Sequence, residues 1–193
     1  PVSLDPRQAE FYLQRAAAQG IVSAYHQLGV LYYNFGVQLT AKSLTEEEFQ
    51  EWDTNSDKVI SPQENRHLRD AHGHFLLAAQ QQYGPALHAL GVMYQQGHGV
   101  QSDPVKAVHW FKQATAYPQP DSYYNLAQLY ENGQGTEVNL SRAFMLYQKA
   151  AKMGHAPSQY NIGLFYYQGR KAGSLVSINV PKPFASKHPE NRI

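Results

Sequence analysis

Leu90-Gly91-Val92-Met93-Tyr94-Gln95-Gln96-Gly97-His98-Gly99-Val100-Gln101-Ser102-Asp103-Pro104-Val105-Lys106-Ala107-Val108-His109-Trp110-Phe111 carries the two patterns that decide the fold. The first, Leu-Gly-x-x-Tyr, recurs as Leu126-Ala127-x-x-Tyr130 and Ile162-Gly163-x-x-Tyr166, in steps of 36 residues. The second runs Ala107-x-x-x-Phe111-x-x-Ala114 and recurs 36 residues away on either side, as Ala71…Phe75…Ala78 and Ala143…Tyr147…Ala150. Both also occur upstream, as Leu28-Gly29-x-x-Tyr32 and Ala9-x-x-x-Leu13-x-x-Ala16, each 62 residues before its next copy. One array with 26 residues inserted between Tyr32 and Ala71 accounts for every spacing.

Apolar or small residues at i, i+4 and i+7 or i+8 mark one face of a helix. Each unit therefore reads as two antiparallel helices: helix A with the Leu-Gly-x-x-Tyr signature and helix B with the alanines. Small residues at Ala24, Ala86, Ser122 and Ser158, one turn before each signature, let neighbouring helices approach. Asp5, Asp103 and Asn139 stand four residues before a helix B alanine as N-caps, with Pro6 and Pro104 at the first helical position. Gly97-His98-Gly99 and Gly133-Gln134-Gly135 supply the turn between helix A and helix B. Hairpins of this length bury their apolar faces on one another and stack into a solenoid.

The run Tyr94–Phe111, with its paired glycines, capping Asp103 and Lys106-Ala-x-x-Trp110, resembles the Sel-1-like repeat, a relative of the tetratricopeptide repeat. The resemblance covers roughly residues 5–41 and 70–169 and departs from the pattern at His67, where a capping Asp is expected, and at Ala127, where the signature has glycine. It implies an all-α, right-handed α-solenoid of antiparallel helix pairs, and a non-catalytic scaffold that binds a protein partner on its concave face. The expected organisation is one repeat domain over 1–193, with an EF-hand-like insertion at 42–70 and an irregular tail at 170–193.

The insertion is compositionally foreign. Between Lys42 and Asp70 stand eight acids (Glu46, Glu47, Glu48, Glu51, Asp53, Asp57, Glu64, Asp70) and four bases (Lys42, Lys58, Arg66, Arg69), a net charge of −4. The chain as a whole has Lys+Arg 16 and Asp+Glu 15, so its formal charge of +1 conceals an acidic insert on a basic remainder. Asp53-Thr54-Asn55-Ser56-Asp57-Lys58-Val59-Ile60-Ser61-Pro62-Gln63-Glu64 places oxygen ligands at positions 1, 3, 5, 9 and 12 of an EF-hand calcium loop. Asp53, Asn55, Asp57, Ser61 and Glu64 would ligate through side chains and Val59 through its carbonyl. Thr45-Glu46-Glu47-Glu48 forms a capping box for the incoming helix, which brings Phe49 and Trp52 to the loop, and Pro62 suits the start of the outgoing one. Lys58 takes the place of the usual loop glycine, which weakens affinity to roughly 10⁻⁵–10⁻³ M, the range of extracellular modules. The expected cofactor is Ca²⁺, stiffening the insert; the bland alternative is an acidic surface hairpin.

On helix A, Gln27, Asn125 and Asn161 precede the signature Leu or Ile, and Asn34, Gln96, Asn132 and Gln168 stand seven residues further on. With Gln128 beside them and Tyr33 and Tyr167 as flanking anchors, these amides form a candidate partner-binding stripe, since an amide both donates and accepts. An ordinary wet polar surface is the competing reading. His67, His72 and His74 lack an obvious fourth ligand for zinc. The basic residues do not form a nucleic-acid stripe, no window approaches a membrane span, and no catalytic set is assignable, so an enzyme is not expected.

A chain of 193 residues with 42% hydrophobic and 16% charged residues has ample material for a folded core. The absence of cysteine and the start at Pro1 fit an exported, periplasmic location with a removed leader. The family resemblance and that location point to a bacterial immunity protein neutralising a secreted type VI effector. The alternative is a calcium-gated sensor or adaptor of an envelope or signalling assembly.

Overall fold

The computed structural model describes residues 5–38, 44–53, 61 and 64–167. In chain order the helices are α1 (Pro6–Ala18), α2 (Val22–Gln38), α3 (Glu46–Trp52), α4 (Arg66–Gln80), α5 (Gly84–Gln96), α6 (Pro104–Ala114), α7 (Pro120–Asn132), α8 (Leu140–Lys152) and α9 (Ala156–Tyr167), with no strand among the described residues. α2 pairs with α4, α5 with α6, and α7 with α8, each as helix A with helix B. Successive pairs meet through α4 on α5 and α6 on α7, while α1 packs on α2 and α9 on α8. The tail at 170–193 lies outside the described residues.

The caps stand where the repeat register puts them. Asp5 accepts from Arg7 N and Gln8 N, Asp103 from Val105 N and Lys106 N, and Asn139 from Arg142 N. The α5–α6 and α7–α8 turns are closed the same way: Asp103 N donates to Tyr94 O at 2.9 Å, and Asn139 N to Tyr130 O at 2.8 Å. Gly97 and Gly133 end α5 and α7 at φ 75° and 68°, the left-handed conformation that favours glycine. The second glycine of each turn does something further. A Cβ on Gly99 would lie 2.4 Å from the carbonyl of Leu68, and one on Gly135 would lie 2.2 Å from that of Pro104. Each turn thus rests backbone to backbone on the first turn of the preceding helix B.

The core is a row of helix B aromatics driven into helix A. Phe75 covers Gly29 and Phe111 covers Gly91, at distances no Cβ would allow. Phe75, Phe111 and Tyr147 are all buried, with Ala71, Ala107 and Ala143 beside them. Burying a phenyl ring fully stabilises by roughly 1.5–3 kcal/mol. Gly163, by contrast, meets nothing within 4 Å among the described residues.

The insertion opens within the first hairpin. Thr45 caps α3 in a reciprocal box with Glu48, whose carboxyl is held below its usual range by the Thr45 N–H. Trp52 at the end of α3 is buried, edge-on to His67 at 5.5 Å. The cap of α4 is Asn65, two residues before the position the repeat register marks at His67. The reason is tertiary. The Asn65 side chain accepts from Leu68 N and donates to Gly36 O at 2.9 Å, tying the exit of the insertion to the last turn of α2.

Candidate functional site

The amide stripe divides into exposed and engaged members. Gln27 and Asn34 on α2 and Asn132 on α7 are exposed, and Asn125 is half-buried two turns before Asn132. Gln96 instead accepts from the Tyr33 hydroxyl at 3.1 Å, bridging α2 to α5, with His98 Nδ1 2.9 Å from the same oxygen. Gln128 donates to the Tyr124 hydroxyl at 3.1 Å. Asn161 hydrogen-bonds the Tyr147 hydroxyl, which donates to Glu131 at 2.7 Å; burial first, and then Glu131, push the Tyr147 pKa strongly up. Tyr167 is 89% exposed, and Gln168 lies outside the described residues. Two pairs of amides one heptad apart, Gln27/Asn34 and Asn125/Asn132, therefore remain turned to solvent in whole or part on α2 and α7.

Of the six calcium-loop residues, Asn55, Asp57 and Val59 lie outside the described residues. Asp53 is the C-cap of α3, its N–H donating to Phe49 O. The Glu64 side chain is buried, and its Oε2 accepts from Ser61 N at 3.0 Å and from Ser61 Oγ at 2.6 Å. Asp53, Ser61 and Glu64 carry oxygen alone, the ligand chemistry of a hard cation, and among the described residues no three His, Asp or Glu side chains are brought together as a metal site. The outgoing helix α4 starts at Arg66, after Asn65, whose ψ of 109° is extended rather than helical as its cap; the start expected at Pro62 lies outside the described residues.

The three histidines after the insert are occupied by aromatic rings. His67 and His74 lie on either side of Tyr32, stacked at centroid distances of 6.0 and 5.4 Å, while His72 Nε2 reaches the Tyr94 hydroxyl at 3.2 Å. The Tyr32 hydroxyl donates to Glu10, and burial together with that carboxylate pushes its pKa up to about 12. A Ser–His–Asp set that sequence spacing does not reveal also appears. His155 Nδ1 is 2.8 Å from Ser158 Oγ, and its Nε2 is 3.1 Å from Asp121. Ser158 is fully buried, and its N–H also points to His155 Nδ1, so the imidazole caps α9 rather than activating a nucleophile.

Burial lowers the pKa of His26, His72, His74, His88 and His98 below the usual 6.5. These groups are neutral in the fold and take up protons first in the unfolded chain. Their contribution is complete above about pH 6.5 and falls as the pH drops from there toward the folded values, by up to about 1.4 kcal/mol per pH unit for each histidine. The melting temperature should fall steadily from pH 7 to pH 5, and His88→Gln should flatten that slope. A flat or rising profile over this range would contradict the assignment.

The signature tyrosines carry a change of charge along the array. Tyr32 meets Glu10, with Asp70 acting on it from α4; Tyr94 meets His72 and the ammonium of Lys106 at 5.3 Å. Tyr130 meets two cations, Lys112 at 5.8 Å and Arg142 at 5.5 Å. Beside it Leu126, Tyr130, Arg142, Met145, Leu146 and Lys149 line a groove of about 180 Å³.

The Sel1 repeat family model matches residues 1–21, 22–42, 84–116, 120–155 and 156–178. An uncharacterized protein of Neisseria meningitidis serogroup B is 32% identical over 123 residues, 64% of this chain and 20% of that protein. Among solved structures, c5321, a protective antigen present in uropathogenic Escherichia coli strains displaying an SLR fold, is similar with a TM-score of 0.65 and 26% identity, over 86% of this chain and 29% of that one. A Sel1 repeat protein from Oxalobacter formigenes also has a TM-score of 0.65, at 24% identity, over 86% of this chain and 57% of that one. The chain thus spans about a fifth of the meningococcal relative and less than two thirds of either solved structure. The register of the matches coincides with the helix pairs α5–α6 and α7–α8, and the chain belongs to the Sel1 repeat family.

Proposed function

We propose that the chain is a protein-binding scaffold that grips a partner through the amides left exposed on helix A. The observation that carries this is the repetition of Gln27/Asn34 and Asn125/Asn132 at matching heptad positions on a stacked, rigid array. Amides at a fixed spacing satisfy a partner's backbone donors and acceptors without selecting charge. Within this reading the partner is a secreted effector, held in the periplasm by an immunity protein. The cysteine-free composition fits an exported chain, as does the description of the Escherichia coli relative as a protective antigen.

The acidic insertion is proposed as a structural calcium site held by Asp53, Asn55, Asp57, Val59, Ser61 and Glu64. The scaffold reading is tested by affinity capture from the cells that encode the chain, followed by calorimetry with the purified partner. Asn125→Ala with Asn132→Ala should weaken binding at least about 10-fold, the loss of two to three partner hydrogen bonds. Unchanged affinity would discard the amide row. Equal partner affinity with and without Ca²⁺ is expected of a structural site, whereas a large difference would favour the calcium-gated sensor.

A further inference from the structure

The five basic residues between 71 and 167 are Lys106, Lys112, Arg142, Lys149 and Lys152, and all lie on α6 and α8. Lys106 is paired with its own cap Asp103 at 3.4 Å. Among the described residues no carboxylate pairs with Lys112, Arg142 or Lys149. Their neighbours are rings instead: Lys112 and Arg142 sit over Tyr130, and Lys149 over Tyr123 at 5.7 Å. Arg142 also points Nη1 toward the Tyr130 hydroxyl at 3.4 Å, which fixes its guanidinium at the rim of the groove. Leu126, Leu146 and the 49% exposed Met145 make the rest of the lining apolar. Arg142 and Lys149 in the lining, with Lys112 against the same tyrosine, thus flank an apolar floor with no carboxylate partner among the described residues, and the complement of such a surface bears both an apolar side chain and carboxylates.

We propose that this groove between α7 and α8 docks an acidic segment of a protein partner, one apolar side chain entering over Leu126 and Leu146 while flanking carboxylates meet Arg142 and Lys149 in the lining and Lys112 on the Tyr130 ring. The proposal rests on the scaffold reading and names a second, charge-selective contact beside the amide row. Tyr32 has acidic neighbours, and Tyr94 has one cation and a neutral histidine; of these three signature tyrosines Tyr130 alone has two cations over its ring, so the groove places the acidic segment at the third repeat. Aromatic rings under the cations orient them without neutralising them.

The test uses a fluorescein-labelled peptide, Asp-Leu-Glu-Phe-Asp-Leu-Glu, and its Asn/Gln counterpart, titrated with the full chain by fluorescence anisotropy. The acidic peptide should bind, the amide counterpart should bind at least about 10-fold more weakly, and raising salt from 50 to 300 mM should weaken the acidic peptide several-fold. Arg142→Glu with Lys149→Glu should lose binding at least about 10-fold. Met145→Asn, which removes apolar surface without adding a charge beside Arg142 and Lys149, should lose it too, while Arg15→Ala at the far end should not. Equal binding of the amide peptide, no binding of either, or retention by both groove variants would overturn the proposal. So would tighter, competing binding of a single-stranded oligonucleotide, or self-association of the chain abolished by Arg142→Glu with Lys149→Glu, which would give the groove to nucleic acid or to a second copy. Asn125→Ala with Asn132→Ala leaves the groove intact and should bind the peptide normally, so a failed amide row and a failed groove are told apart.

Discussion

Gly135→Ala is expected to lower the melting temperature by about 6–12 °C and Gly154→Ala by only about 2–8 °C, at roughly 2–4 °C per kcal/mol for a chain of this size. Both glycines have positive φ, 67° and 86°, so a side chain costs each about 1–2 kcal/mol of backbone strain. The surroundings separate them. Gly154 has nothing within 4 Å of a Cβ, whereas at Gly135 a Cβ would sit 2.2 Å from Pro104 O and 2.6 Å from Val105 N. Those are backbone atoms of the first turn of α6, so relief requires the turn and the helix to part. The total for Gly135 is then about 3 kcal/mol. In a quasi-one-dimensional stack the loss falls on one interface, that of α5–α6 with α7–α8, and should broaden the transition as well as lower it. Thermal melting followed by circular dichroism reads both effects. Equal shifts for the two variants would show that the turn does not bear on the preceding helix.

This contact marks where the fold was legible in the sequence and where it was not. Helix identity and pairing follow from a 3.6-residue period and local caps, so Asp103, Asn139 and the signature Leu90, Leu126 and Ile162 reveal them without tertiary knowledge. The glycine pairs are legible as turns, but only the folded stack shows why the second must lack a Cβ. Asn65 displaces the cap expected at His67 because its side chain also reaches Gly36 O, a partner 29 residues away that spacing does not reveal. The amide row lies on the expected helix A positions, yet Gln96, Gln128 and Asn161 are drawn into bonds with Tyr33, Tyr124 and Tyr147. The groove at Tyr130 has no linear signature at all. Its cations come from α6 and α8 and its rings from α7, and along the chain they look scattered.

Calcium at 10 mM is expected to raise the melting temperature by about 5–11 °C. A site of roughly 10⁻⁴ M affinity, within the range of extracellular calcium modules, would stabilise the fold by about 2.7 kcal/mol at a hundredfold excess over its dissociation constant. The described part of the loop already constrains how this would work. Glu64 is buried at 7% exposure, and the Ser61 amide and hydroxyl both donate to its Oε2, so the carboxylate is held in place next to Ser61, its fellow ligand in the proposed site. Desolvating an anion is costly, and a bound cation removes that cost. Two roles of Glu64 are thereby separable. As a cap-like acceptor for Ser61 it should tolerate Glu64→Gln at a cost of about 1 kcal/mol without metal, because the amide oxygen still accepts. As a calcium ligand it should not, since the amide has one oxygen where the carboxylate offers two, and the calcium response of Glu64→Gln should shrink sharply. Asp53→Ala with Glu64→Ala should abolish it. Magnesium should give little shift, because it demands a smaller octahedral shell and gives up water reluctantly. If Glu64→Gln keeps the full calcium shift, or if magnesium matches calcium, Ser61 and Glu64 form a helix-entry cap on an acidic hairpin and the six-residue metal assignment falls.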